Sequence, residues 1–131
     1  MSFESGEFIR DLIYNLPDGL KERLSNPSKC IPDHYMNEFK SNILKIVKQY
    51  KEEMENMKLP FYQPYDGVSE TLNDGFDNLL YLGILCQTRG SKNCYWFDKD
   101  KVQNVRKNSS WSEDGISLIK KMSNSFAELL E

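Results

Sequence analysis

DHYMNEFKSNILKIVKQYKEEMENMK, residues 33–58, carries the clearest helical signal in the chain. Met36, Phe39, Ile43, Ile46, Val47, Tyr50, Met54 and Met57 recur every three to four residues, while Lys40, Lys45, Lys48, Lys51, Glu52 and Glu55 fill much of the rest. This spacing predicts one amphipathic helix of roughly 36–39 Å, terminated by Leu59-Pro60.

On the N-terminal side, Phe8, Ile9, Leu12 and Ile13 share a helical face, with Ser2 or Ser5 available as N-cap. Asn15-Leu16-Pro17 should end that helix, because the residue before a proline avoids helical geometry. A short second helix follows, with Leu20 and Leu24 inward, stopped by Asn26-Pro27. On the C-terminal side comes an aromatic loop, residues 60–67, and then a helix over residues 68–82 burying Val68, Leu72, Phe76, Leu79 and Leu80. Gly75 costs that helix about 1 kcal/mol against alanine and marks an expected kink or break. Gly83 suits a left-handed cap.

The period then changes from helical to alternating. ILCQT (84–88) and NCYWF (93–97) flank Arg89-Gly90-Ser91-Lys92, which reads as a β-hairpin with a two-residue turn at Gly90-Ser91. A short helix bearing Val102 and Val105 follows. The last helix begins either at a Ser110/Glu113 capping box or at a Ser112 cap with Trp111 packed on Ile116. Its expected inward stripe is Ile119, Met122, Phe126, Leu129 and Leu130. The fold class is therefore α+β and predominantly helical, with about five helices and one hairpin. At 131 residues, without repeat or linker, it should form one domain.

Two stretches resemble known families. LLYLGILCQTRGSKNCYWF (79–97) resembles the end of a winged-helix domain, where a helix closes on a leucine-rich turn and a glycine before a two-stranded wing begins. The resemblance implies a winged-helix-like fold with a recognition helix starting near Val68, and a nucleic-acid-binding regulator that uses Arg89 and Lys92 of the wing. That helix departs from the DNA-binding pattern, however. It carries Glu70, Asp74 and Asp77, and no Lys or Arg occurs from Leu59 to Thr88. Phosphate and base contacts call for the opposite chemistry. IKKMSNSFAELL (119–130) is similar to the closing helix of the SUKH superfamily of bacterial immunity proteins, which implies an immunity role. That family has a multi-stranded sheet in its middle, where this chain reads as helix.

Catalytic chemistry has no recognisable carrier. His34 is the only histidine and sits in the first turn of the long helix, without a nucleophile at motif spacing, so it reads as a solvent-facing residue. No Walker loop, nucleophile elbow or H-E-x-x-H motif is present. The cysteines lack the C-x2-C spacing of a zinc knuckle. The expectation is a chain without catalytic residues, metal or cofactor.

Cys30, Cys86 and Cys94 are an odd number without close spacing, which reads as reduced thiols of a cytoplasmic protein. With the turn at Gly90-Ser91, Cys86 would oppose Tyr95, and the Cys86 and Cys94 thiols would point to opposite faces. Glu4, Glu7 and Asp11 interrupt the first apolar pattern, unlike a signal peptide, and no apolar run is long enough to span a bilayer.

Charge is the informative feature. The formal net charge is only −3, which disfavours generic binding to nucleic acid or anionic lipid. Yet the charges segregate. Asp66, Glu70, Asp74 and Asp77 follow at spacings of four, four and three, on one helical face if the helix starts by Asp66, with Tyr62 and Tyr65 beside them. Residues 89–107 carry Arg89, Lys92, Lys99, Lys101, Arg106 and Lys107 against Asp98 and Asp100. The acidic-aromatic face could be simply a solvated one. As a binding surface it suits a basic protein partner, as in an inhibitor or immunity protein, or a small subunit of a larger complex.

Overall fold

A computed structural model describes residues 4–57, 68–88, 93–104 and 111–130. Among these, seven α-helices surround a small three-stranded antiparallel sheet, so the structure is α+β and predominantly helical. The helices are α1 (Glu4–Tyr14), α2 (Asp18–Leu24), α3 (Asp33–Gln49), α4 (Lys51–Asn56), α5 (Val68–Tyr81), α6 (Lys99–Asn104) and α7 (Glu113–Leu130). The strands are β1 (Ile31–Pro32), β2 (Leu85–Thr88) and β3 (Cys94–Phe97).

The first helix is the spine of the core. Phe8, Ile9, Leu12 and Ile13 are fully buried as their spacing requires, and Ser5, Arg10 and Asp11 are buried too. A surface helix would bury one stripe; α1 is covered by α5, α7 and α6 together. Two of its polar groups are met from α7 and from Trp111 ahead of it, while Arg10 Nε is buried without a hydrogen-bond partner among the described residues. Ser123 of α7 donates to the Leu12 carbonyl at 2.8 Å, and the Trp111 indole N–H donates to Asp11 at 2.6 Å. Burial pulls the Arg10 guanidinium below its ordinary pKa, against the opposing pull of Asp11 and Glu7.

Gly75 does not break its helix: α5 runs through it to Tyr81. Its role is close approach to α1. A Cβ at position 75 would lie 2.7 Å from Ile9 Cδ1 and 3.1–3.2 Å from the carbonyl carbon and oxygen of Ser5. At Gly6, on the facing helix, an added Cβ would meet only ordinary contacts at 3.5 Å. The two glycines therefore predict opposite outcomes. Gly6→Ala should gain up to about 1 kcal/mol from helix propensity. Gly75→Ala should lose about 1–3 kcal/mol, because backbone must give way in a packed core. Thermal melts of the two variants check this, and a stabilised Gly75→Ala would mean that the helices cross less tightly.

The long helix differs from expectation at one point. It divides at Tyr50, whose φ of −106° and ψ of 20° leave the helical region, so α3 and α4 are separate. The Ile46 and Tyr50 carbonyls still accept from Tyr50 N and Met54 N, and the Tyr50 hydroxyl is 2.8 Å from Ser125 Oγ on α7. No proline or glycine announces this bend. Met36, Phe39, Ile43, Ile46, Val47 and Met54 are buried as read, but Met57 is exposed. Phe39 is the hub of the core, with its ring 5.3 Å from Phe126, 6.2 Å from Phe76 and 6.2 Å from Phe97.

The ends of α5 and α7 follow their sequence signals. Gly83 takes a φ of +74°, its N–H donates to the Leu80 carbonyl, and Ile84 N–H donates to Leu79, the paired bonds of a Schellman cap. Ser112 caps α7 by accepting from Gly115 N at 3.1 Å, which selects the second of the two expected registers. Leu118, Ile119, Met122, Phe126 and Ala127 are buried, whereas Leu129, read as inward, is 41% exposed.

The sheet order is β1-β3-β2. The hairpin exists, but its register pairs Cys86 with Trp96 and Thr88 with Cys94, one residue away from the expected pairing of Cys86 with Tyr95. The expected turn at Gly90-Ser91 lies outside the described residues. A two-residue edge strand, β1, pairs Ile31 with Tyr95 and Pro32 with Cys94. It went unread because it is so short and contains a proline, which a sheet accepts at its edge. Its consequence is a disulfide. Cys30 and Cys94 are bonded across a Cα separation of 5.5 Å, well within the usual span, so the expectation of three reduced thiols is wrong. The cysteine argument for a cytoplasmic address falls with it, since such bonds persist mainly in oxidising compartments. Among the described residues no helix is long and apolar enough to cross a membrane.

Candidate functional site

Helix α5 buries Leu72, Phe76 and Leu79 and turns Glu70, Asp74 and Asp77 to solvent. The three carboxylates follow at i, i+4 and i+7, one face of the helix. Among the described residues none of them is held in an ion pair; the pair that is formed joins Lys21 and Asp18 at 3.4 Å. Lys40 of α3 reaches α5 but makes no ion pair with the stripe. Its ammonium donates to Asn73 Oδ1 at 3.3 Å and sits 5.1 Å over the Phe76 ring. Glu70 lies in the first turn of α5, where it complements the helix dipole, whereas Asp74 and Asp77 are exposed and add nothing to the packing of α5.

The stripe continues into an aromatic residue that the sequence reading passed over. Tyr81 lies four residues beyond Asp77, and it is 86% exposed. Leu82 beside it is 46% exposed. The backbone that carries them is held by the cap. Ile84 and Leu79 are buried beneath the Gly83 cap, and Lys101 Nζ donates to the Leu82 carbonyl at 3.3 Å. In the sequence, LLYLG reads as a leucine-rich closing turn, which hides the outward direction of Tyr81. The i+4 spacing from Asp77 is the signal that places it on the acidic face.

The other sequence-derived site residues stand apart from this description. Tyr62, Tyr65 and Asp66 of the proposed face, and Arg89 and Lys92 of the basic turn, lie outside the described residues. His34 is exposed in the first turn of α3, its ring 4.4 Å from that of Tyr35, in keeping with a surface residue. Among the described residues no cluster of three or more His, Cys, Asp or Glu side chains could hold a metal ion.

A second surface lies beside the sheet edge formed by β1. A groove of about 390 Å³ opens between α2, β1, α3 and α7. Tyr35, 53% exposed, and Leu129 form apolar walls, Phe39 lies at its base, and among the described lining residues Arg23 and Lys29 bring positive charge against the acid Glu38. Arg23 also donates to the Leu130 carbonyl at 3.2 Å. Cys30, one half of the disulfide, borders this groove.

Comparison with known proteins returns no matching family model, no similar curated protein and no similar solved structure.

Proposed function

We propose that this chain is a non-catalytic protein-binding module that docks a basic protein partner on the acidic-aromatic face of α5. An inhibitor or immunity protein capping a basic toxin, or a small subunit of a larger assembly, is the kind of role that this surface serves. The observation that carries the reading is the unpaired stripe of Glu70, Asp74 and Asp77 leading into the exposed Tyr81. Aligned carboxylates repel one another, and Asp74 and Asp77 lie beyond the first turn, the part of the helix in which a carboxylate gains from the dipole. Opposite a cationic surface they speed encounter and fix orientation, while an anchored aromatic beside them supplies contact area. Tyr62, Tyr65 and Asp66 extend the same face in this reading.

Changing Asp74 and Asp77 together to Lys is expected to leave thermal melting nearly unchanged, since both side chains are exposed. Association with the partner should slow about tenfold at low ionic strength. The difference should shrink above about 0.1 M salt, where exposed charges are screened beyond roughly 10 Å. Tyr81→Ala should instead raise the dissociation rate. Stopped-flow or biosensor kinetics separate the two effects. Unchanged association in the double variant would remove the acidic face from the interface.

The second reading is a winged-helix nucleic-acid-binding regulator. It is favoured by the succession of α5, the Gly83 cap and the β2–β3 hairpin. Against it stands α5 itself, which has no basic residue with which to meet phosphate. In that reading contact would fall to Arg89 and Lys92, and binding would weaken steeply with salt.

A further inference from the structure

We propose that the groove beside β1 is a second docking surface, which takes an acidic amphipathic helix of another protein. It is independent of the acidic face of α5. Such a helix needs an apolar floor and a positive rim, and the groove has both. Leu24 and Phe39 are buried at its floor, whereas Tyr35 of α3 and Leu129 of α7 are large apolar side chains left exposed toward it. Its volume of about 390 Å³ is that of a pocket able to hold side chains of a partner.

Charge selects the partner. Among the described lining residues Arg23 and Lys29 outnumber Glu38, on a chain whose formal net charge is −3, so the groove reverses the sign of the molecule. Among the described residues neither Arg23 nor Lys29 is held in an ion pair. Arg23 is nonetheless positioned. Its Nη2 donates to the Leu130 carbonyl at 3.2 Å, which leaves the other donors of the guanidinium fork for a carboxylate. Lys29 is exposed and adds a point charge.

The sheet edge decides against an added strand. β1 is two residues long, and Asp33 N–H donates inward to the Asn93 carbonyl. Pro32, next to it, has no N–H to offer outward. Contacts must then come from side chains between α2, α3 and α7, which is the helix-in-groove mode, with anchors at i, i+3, i+4 and i+7. The groove is also separate from the acidic stripe. Lys40 meets α5 through Asn73, and Tyr35 precedes it by five residues, so the two point about 140° apart around α3. Partners on α5 and in the groove occupy different flanks of that helix.

A fluorescein-labelled peptide of about 14 residues, with Leu at i, i+3, i+4 and i+7 and Glu elsewhere, serves as the probe. It is titrated with the whole protein and followed by anisotropy. Binding should saturate, and it should weaken about tenfold in Lys29→Glu and in Tyr35→Ala. Both positions are exposed, so thermal melting should be unchanged in these variants. Asp74→Lys/Asp77→Lys should bind the probe as wild type does, which keeps this test apart from that of the α5 face. A matched peptide with Lys in place of Glu should not displace the probe. Absence of saturable binding overturns the proposal, as does displacement by the Lys peptide or indifference to both groove changes. So does sedimentation showing that the protein self-associates through Tyr35 and Lys29, because a second copy would then be the occupant.

Discussion

Phe126→Ala is expected to destabilise the protein by about 3–5 kcal/mol, the range for deleting a fully buried aromatic ring. Phe126 is fully buried and packs edge-on against Phe39 at a centroid distance of 5.3 Å. Phe39 in turn reaches Phe76 of α5 and Phe97 of β3, so the cavity would open where three elements meet. With most of the ring's surroundings anchored by other helices, little collapse can fill it. Urea unfolding should show a lower midpoint at unchanged slope, and the melting temperature should fall by roughly 10 °C or more. Leu129→Ala, three residues along but exposed, should cost under about 1 kcal/mol. Equal losses at the two positions would mean that the last helix is rotated from the orientation described.

The second large effect belongs to the Cys30–Cys94 bond. It closes a loop with a sequence separation of 64, and chain entropy assigns such a bond about 4 kcal/mol. Cys94→Ala, or wild type under reductant, should lose most of that, and the two losses should not add. Cys86→Ala should change stability far less, since that thiol is free and only half-buried. Melting with and without reductant decides the matter: identical curves would contradict a stapled fold.

Much of this architecture was legible because helices announce themselves by period. Ile43, Ile46, Phe76, Ile119, Met122 and Phe126 were assigned to the core from spacing alone, and all are buried. The Gly83 cap and the Ser112 cap were legible because each depends on one residue's local chemistry. What escaped depends on distant neighbours. Gly75 reads as a helix breaker until Ser5 and Ile9 of α1 are seen against it. Tyr50 has no helix-breaking chemistry, and its bend accompanies a hydroxyl contact with Ser125, 75 residues away. β1 is two residues long and holds a proline, so no local pattern marks it, and without it the partner of Cys94 could not be found. Once that strand is in place the disulfide and the groove both follow.

The candidate site divides in the same way. The exposure of Glu70, Asp74 and Asp77 on a single face was readable from their spacing, and the structure places them so. The aromatic end at Tyr81 was not, because a tyrosine among leucines at a helix end looks like core. Only the burial of Leu79 and Ile84 beneath the Gly83 cap shows which way Tyr81 must face.

The most direct test of the proposed role compares capture from extract of the native source by three forms of the protein, with and without nuclease treatment. These are the wild type, the Asp74→Lys/Asp77→Lys variant and an Arg89→Glu/Lys92→Glu variant. Bound material is quantified by mass spectrometry at low and high salt. A basic protein retained by the wild type and the hairpin variant, lost from the α5 variant and insensitive to nuclease, is the result that the acidic-face reading predicts. Binding that survives reversal of the α5 charges, but vanishes with the hairpin change or with nuclease, would contradict it.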